Sequence, residues 1–532
     1  MIQISQIKLP IGAGQDELIR QICRLLRIRR SAVLSWQIVR RSIDARRKPD
    51  LFFVYTVRVQ AEDERRILQK RRHKNITSIN PVRYRFPTPG AGSLASPPVV
   101  VGAGPAGLFA AYLLALHGYR PILLERGEEA ENRTASVNRF WRDGVLDPDS
   151  NVQFGEGGAG TFSDGKLNTG IHDKSGRISF VLETFVKMGA PRDILFDARP
   201  HLGTDLLTGI VSNLRKEVCR LGGTVKFRTR MDELIIRDGS VRGVRTSDGE
   251  ILSSEAVVLA IGHSARDTFE MLRRDGVPME AKPFAVGVRV EHPQEMINLA
   301  QYGSADPGEA GPAPYRLTCQ TESGRGVYSF CMCPGGYVVN ASSEPGRLAV
   351  NGMSLRNRNG KNANSAIVVS VGPEDFLPFA GSDEVLAGMY FQRELERRAW
   401  ELAEGSIPVQ RLEDFRRNRP GDVGSIHPEM KGAWSPANVR SVFPDEISGA
   451  IADAFADFDR KIDGFGCGDA VLSGVESRTS SPVRILREKS GESAIKGLFP
   501  CGEGAGYAGG IVSAAVDGMK IAEKIAVCFR NF

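Results

Sequence analysis

The stretch Val99-Val100-Val101-Gly102-Ala103-Gly104-Pro105-Ala106-Gly107-Leu108-Phe109-Ala110-Ala111 puts a β-branched run before a G-x-G-x-x-G turn and an Ala- and Leu-rich run after it. Strand, glycine turn and helix in that order predict the opening unit of a dinucleotide-binding domain. Gly102 permits the tight turn, Gly104 lets the backbone approach a pyrophosphate, and Gly107 lets the helix pack close to the strand. Unpaired N–H groups at the helix start, where Pro105 and Ala106 stand, meet the phosphates together with the positive dipole end. A second apolar strand, Pro121-Ile122-Leu123-Leu124, ends on Glu125, 23 residues past Gly102. Its carboxylate is placed to accept from ribose hydroxyls, and Arg126 follows it.

At 532 residues the chain has room for two or three domains. A hydrophobic content of 41% with 25% charged residues is ordinary for a soluble globular protein. No apolar run approaches the ~18 residues that span a bilayer, and the start lacks the pattern of a secretory signal. Eight cysteines without a C-x-x-C pair form no zinc or redox-dithiol framework, so no metal is expected. A reducing cytoplasm is the simplest compartment.

The formal charge of +7 is uneven: residues 1–95 carry 20 Lys/Arg against 7 Asp/Glu, a balance of +13, leaving −6 for the remainder. This basic module opens with the strand signal Ile2-Gln3-Ile4, followed by a helical stripe over Glu17–Ile28. Strand-like runs then cover Val33–Ile43 and Leu51–Val59. The pattern is a small β-α-β-β unit, with a ferredoxin-like arrangement open to it. Arginines 24, 27, 29 and 30 and 40, 41, 46 and 47 suit RNA phosphates, or a solvated face docked on the acidic body. The second reading is favoured, because no nucleic-acid motif accompanies the charge. Phe86–Pro98 is a linker by composition.

Beyond Glu125, Asn151–Lys166 is too rich in glycine for a helix or strand interior. It suits a loop laid against a flat ligand or a pyrophosphate, the alternative being a flexible surface loop. Leu206–Leu221 is a predicted helix. Val225–Arg228, Glu233–Arg237, Val241–Thr246 and Glu250–Leu252 form a predicted meander with turns at Asp238-Gly239 and Asp248-Gly249. A buried strand then ends at Gly262-His263. Longer strand-like runs follow at Phe284–Val290, Gly326–Phe330, Tyr337–Ala341 and Ala366–Val371, and then a helix over Ser382–Ala403. Glycine-rich α/β signals return at Gly497–Ile511, before a small-residue helix over Val512–Val527. The expected domains are the basic module 1–95, a Rossmann-like part 96–283, a largely antiparallel α+β substrate domain 284–442, and a second Rossmann-like part 443–532.

From about Pro97 onward these stretches resemble the two-dinucleotide-binding-domain flavoproteins, and among them the bacterial FAD-dependent dehydrogenases, or NAD(P)/FAD-dependent oxidoreductases. The matching motifs are Gly102–Gly107, Gly157–Lys166, Arg199–Asp205, Cys331–Gly336, Glu476–Val483 and Gly502–Ile511. The resemblance implies an α/β fold, an FAD-binding βαβ domain with an inserted substrate domain, and FAD as cofactor. The glycines with Pro105 and Ala106 would then hold the FAD pyrophosphate. Glu125 and Arg126 would serve the adenosine end, and the backbone of Met231 the adenine. Gly158, Gly160 and Thr161 would lie along the cofactor, and Gly262 beneath it. Glu503, following Gly502, stands where the superfamily usually has Asp on the ribityl chain. Gly510 and Ile511 would bring a helix N-terminus to the pyrimidine edge of the flavin, where reduction builds negative charge. No second G-x-G-x-x-G follows directly on a β-branched run as Gly102–Gly107 does, so a nicotinamide donor, NAD(P)H, would dock transiently or in the substrate cleft.

A flavin supplies redox chemistry, and the protein must orient the substrate. Arg478 is the candidate anion clamp, with Thr479 and Ser480 beside it as hydrogen-bond donors. Lys166 and Asp164 stand on the glycine loop, able to face the flavin or solvent. Cys331 and Cys333 share a face of a predicted strand; buried structural cysteines are the favoured reading, since C-x-C suits a disulfide poorly. His201 is a possible acid or base, with a structural role favoured. The expected function is hydride transfer between FAD and a small anionic substrate. An RNA-acting flavoenzyme gripping through the basic module, and an FAD-holding interaction protein, are the alternatives.

Overall fold

A computed structural model describes residues 1–70 and 73–532. Five parallel strands, each of three residues, form the sheet that positions the site. In spatial order they are Leu498–Pro500, Val257–Leu259, Val99–Val101, Ile122–Leu124 and Thr224–Lys226. Such a sheet is covered on both faces, which is why its central strands are continuous Val/Leu runs rather than alternating ones. On one face lie the helices Pro105–Leu116, Thr204–Arg220 and Ile511–Cys528. Pro105–Leu116 is buried nearly all round, so its Ala and Gly residues allow close approach. A Cβ on Gly518 would lie 2.0 Å from the Ala106 carbonyl oxygen. The other face carries the antiparallel meander Met231–Arg237, Ser240–Thr246 and Ile251–Ser253. One correction falls here: Thr224–Lys226 joins the parallel sheet beside Ile122–Leu124 and not the meander.

The inserted domain is built on a seven-stranded sheet. Its order is Thr318–Gln320, Gly326–Cys333, Asn362–Val371, Phe284–Pro293, Val471–Glu476, Ile407–Arg411 and Trp434–Pro436. Phe284–Pro293 and Asn362–Val371 pair over ten residues and are almost wholly buried. Helices Ala387–Leu402 and Asp445–Lys461 pack on it. The expected boundary after residue 442 is therefore too early. Helix Asp445–Lys461 and strand Val471–Glu476 belong to this core, and the chain re-enters the Rossmann-like part only beyond Glu476. Composition did not betray this, because a strand buried on both faces looks alike in either sheet.

The basic module extends past the β-α-β-β reading. A helix Glu64–Lys70 and a strand Ile76–Ser78 complete βαββαβ, with the antiparallel order Val33–Arg47, Asp50–Ala61, Ile2–Pro10, Ile76–Ser78. This is the ferredoxin-like arrangement. Arg41 docks the module on the body: its side chain pairs with Asp197 at 2.8 Å, and its backbone exchanges hydrogen bonds with Phe196 and Ala198. Arg46 is held by Asp44 at 2.7 Å. Among the described residues no helix is long and apolar enough to cross a membrane.

Candidate FAD and substrate cavity

A cavity of about 590 Å³ opens over the C-terminal ends of the parallel strands, between the two sheets. Its walls include Gly102, Gly104, Pro105, Ala106, Glu125, Arg126, Gly158, Gly160, Met231, Gly262, Glu503, Gly510 and Ile511. Ligands of open α/β sheets bind at this end. The glycines divide by role. A Cβ on Gly102 would lie 2.4 Å from the Ala260 carbonyl oxygen, and one on Gly107 would lie 1.8 Å from that of Gly102. These two glycines build the turn. A Cβ on Gly104 would meet nothing nearer than the Gly158 Cα at 3.9 Å, so Gly104 presents its open face to the cavity. Gly107 is thus a packing residue and not a wall of the cavity.

Glu125 is buried and already organises backbone. Its oxygens accept from the N–H groups of Ala103 (2.8 Å), Gly127 (2.9 Å) and Gly155 (3.0 Å). One acid thereby ties the fingerprint turn to the second glycine loop, and still retains lone-pair capacity for a ribose. Arg126 reaches the cavity wall, but its guanidinium is committed to Asp149 and Asp267, each at 2.9 Å, and lies over the Phe154 ring.

The loop Asn151–Lys166 is buried structure and not a mobile surface segment. Arg133, fully buried on helix Ala130–Asp143, holds it. Its guanidinium donates to the carbonyls of Asn151 (2.9 Å), Val152 (2.9 Å), Glu156 (2.7 Å) and Gly158 (2.9 Å). Sequence reasoning passed over it because an arginine in a charged helix carries no local signal. Arg133→Met should leave the chain folded and loosen this loop. The expected result is faster proteolytic cutting within residues 150–166 and at least about tenfold weaker FAD retention, since several charge-assisted bonds are lost. Thr161 departs from expectation. It donates back to the Glu156 carbonyl at 3.2 Å and sits behind the loop, away from this cavity. Gly502 also stands off: its N–H donates to Asp517 at 2.8 Å, and its left-handed φ of 77° makes the turn that presents Glu503.

The chemistry candidates are rearranged. Arg478 borders the cavity, but Glu396 takes its Nε and Nη2 at 2.9 and 2.8 Å, while Ser343 and Ser264 take its Nη1. A guanidinium so engaged is no free anion clamp, because Glu396 neutralises it from an adjacent helix. Asp164 is also locked, accepting from Ser354 and Arg358 and pairing with Lys166 at 3.0 Å. Burial alone would raise its pKa, but Lys166 and Arg358 outweigh that and hold the carboxyl down to about 2. It is a positioning residue. Lys166 keeps capacity: burial favours its neutral form, but Asp164 prevails and its pKa is raised. Among the described residues its Nζ makes no hydrogen bond beyond this ion pair.

Two acid–base residues emerge that the sequence did not single out. His263 lines the cavity with Nδ1 3.6 Å from Glu503 Oε1, while its Nε2 is buried without a partner. Glu476 lies on the same cavity, paired with buried Arg289 at 2.9 Å. Burial raises its pKa against the pull of Arg289. His201, in contrast, is structural: Nε2–H donates to the Arg356 carbonyl at 3.0 Å. Burial, with help from Arg358, lowers its pKa from 6.5 to about 4, and burial does the same for His292. The unfolded chain therefore binds these protons more readily than the folded one. Stability should fall as pH drops from about 6.5 to 4, and His201→Asn should flatten its share of that slope in urea titrations. Among the described residues no cluster of His, Cys, Asp and Glu has the form of a metal site.

The cavity fits FAD in its open Gly104 face, its helix N-termini and its carboxylate at the ribose end. Comparison with known proteins agrees. Residues 283–479 match the family model of the FAD-dependent protein C-terminal domain, and residues 100–148 that of an NAD(P)-binding Rossmann-like domain. Residues 1–60 match a domain of unknown function. An uncharacterized protein of Clostridium beijerinckii is 47% identical over 530 residues, covering 98% of each chain. Solved structures similar in part are E. coli quinol fumarate reductase FrdA (14% identity, TM-score 0.37, 81% of this chain and 70% of that one) and glycine oxidase of Bacillus cereus (14%, 0.31, 81% and 94%). The chain belongs to one family with the clostridial protein, carries the C-terminal domain of the FAD-dependent proteins beside a Rossmann-like domain, and has FAD as its cofactor.

Proposed function

We propose that this protein transfers a hydride between FAD and a small anionic substrate held by Lys166. The observation that carries the reading is the Lys166 ammonium. Lys166 lines the cavity, and its ammonium is buried just behind the wall, with Asp164 as its ion-pair partner and hydrogen-bonding capacity to spare. Bound FAD supplies hydride acceptance and donation. The chain's own residues do the rest. Lys166 fixes an anion, Asp164 keeps the lysine in place, and the loop held by Arg133 shapes the cavity. With Nδ1–H turned to Glu503, His263 Nε2 is free to hold the proton that accompanies the hydride. NAD(P)H is the proposed transient donor, docking in the same cleft, because Gly102–Gly107 is the one G-x-G-x-x-G among the described residues that follows directly on a strand and opens an α-helix; Gly155–Gly160 and Gly504–Gly509 share the spacing without that context.

The first test is anaerobic mixing of the FAD-loaded protein with NADH and then NADPH, followed by flavin absorbance. Bleaching within the mixing experiment is expected with one of them. Persistent colour with both removes the nicotinamide donor, and amines and hydroxy acids would then be screened as reductants. Once a substrate is found, Lys166→Met should raise its KM about tenfold or more at unchanged FAD content, the loss of one charge-assisted contact. An unchanged KM would dismiss the lysine as the anion site.

A further inference from the structure

The hydride reading leaves Cys331 and Cys333 without a task, although Cys331 forms part of the cavity wall. Both lie at the end of strand Gly326–Cys333, where the pairing with Asn362–Val371 slips between Phe330 and Cys333. Cys331 takes a left-handed φ of 45° there, a conformation that a non-glycine residue keeps only when its surroundings impose it. In a flat strand residues i and i+2 lie about 6.6 Å apart, near the limit that a disulfide spans. The bulge breaks that flat spacing, and the Cys333 thiol lies 3.2 Å from the Cys331 carbonyl oxygen.

The pair is asymmetric. Cys331 is half-buried and Cys333 fully buried. The neighbouring Cys333 thiol, then the charges of Lys166 and Arg289, pull the Cys331 thiol down, while Cys331 and burial push Cys333 up. Arg289 stands within 4.0 Å of Cys333 Sγ. A stabilised thiolate at a cavity and a protonated thiol behind it are the two halves of a dithiol redox centre.

We propose that Cys331 and Cys333 form a second redox centre, a dithiol–disulfide pair that exchanges two electrons with the FAD of this cavity. In the reducing direction the pair's S–S bond accepts an electron pair from reduced flavin and breaks. Cys331 is released as a thiolate beside Lys166, and Cys333 takes the one proton that the flavin gives up. Flavin is oxidised by two electrons and the disulfide is reduced by two, so atoms and charge balance. The inference rests on the FAD reading, and on neither the nicotinamide donor nor the anionic substrate.

The test is an anaerobic dithionite titration of FAD-loaded protein that has first been oxidised with diamide and desalted. Uptake of four electrons per FAD is expected, against two for Cys331→Ser and for Cys333→Ser. Wild-type protein reduced and then blocked with N-ethylmaleimide should also take two, which keeps the test informative if a serine variant misfolds. Peptide mass spectrometry of the diamide-treated protein should show the bond joining residues 331 and 333. Two-electron uptake by the oxidised wild type, or extra uptake that persists in the serine variants, would overturn the proposal. Because dithionite is the reductant, failure here is distinguishable from failure to be reduced by NAD(P)H.

Discussion

Gly104→Val is expected to yield a folded protein that purifies without FAD. The added side chain has room in the fold, its Cβ standing 3.9 Å from the nearest atom, the Gly158 Cα. The Cβ therefore clashes with nothing, and the side chain fills the space where backbone meets pyrophosphate, blocking the N–H groups at the start of Pro105–Leu116. The substitution separates binding from folding in a way its neighbours do not. At Gly102 or Gly107 the same Cβ would meet a carbonyl oxygen at 2.4 or 1.8 Å, and those variants should misfold. The check is the ratio of flavin to protein absorbance, beside a circular dichroism spectrum matching wild type. A yellow Gly104→Val protein with full flavin occupancy would refute the assignment of the site.

The second large effect is expected on stability. Glu396 is fully buried, pairs bidentately with Arg266 (2.8 and 2.7 Å) and Arg478 (2.9 and 2.8 Å), and accepts from Ser477 Oγ at 2.6 Å. Glu396→Ala leaves two buried guanidinium groups without their shared carboxylate, Arg266 keeping Glu344 and the neutral Gln392, and Arg478 keeping the neutral Ser264 and Ser343. Breaking a buried charge network in this way costs roughly 3–5 kcal/mol, a large part of a typical stability of ~5–15 kcal/mol. The urea midpoint should fall sharply, with precipitation on mild warming. Burial alone would raise the Glu396 pKa, but Arg266 and Arg478 outweigh it and hold the carboxyl well below its ordinary 4.5. The unfolded chain thus binds this proton more readily. The network's contribution is complete above about pH 4.5 and is lost as pH falls toward the lowered value. A flat stability profile through that range, or an unchanged midpoint in Glu396→Ala, would show that the network carries no net stabilisation.

The route by which the site becomes legible differs from residue to residue. Val99 to Ala111 was readable because every element of the turn is local. The strand, the left-handed Gly102 and the helix start follow within a dozen residues, each forced by backbone sterics and periodicity. Glu125 was readable because its distance from Gly102 reflects the length of one helix and one strand. Arg478 shows where this fails. A guanidinium next to Thr479 and Ser480 looks like a free clamp in sequence, and its neutralising partner lies 82 residues away on the helix Ala387–Leu402. His263, Lys166 and Cys331 were quoted as residues of a strand end, a loop and a strand, and nothing local says that they face one volume.

The sequence by itself determined the dinucleotide fold and its glycine turn, because those depend on contacts within a few tens of residues. Only the tertiary structure decided which charges remain available. It bound Arg478 to Glu396, tied Arg126 to Asp149 and Asp267, and left Lys166, His263 and Cys331 on the cavity wall. The physical reason is that a charge's chemistry depends on its partner and its exposure to water. In a domain split by a long insertion of sheet and helix, that partner is set by packing and not by chain order.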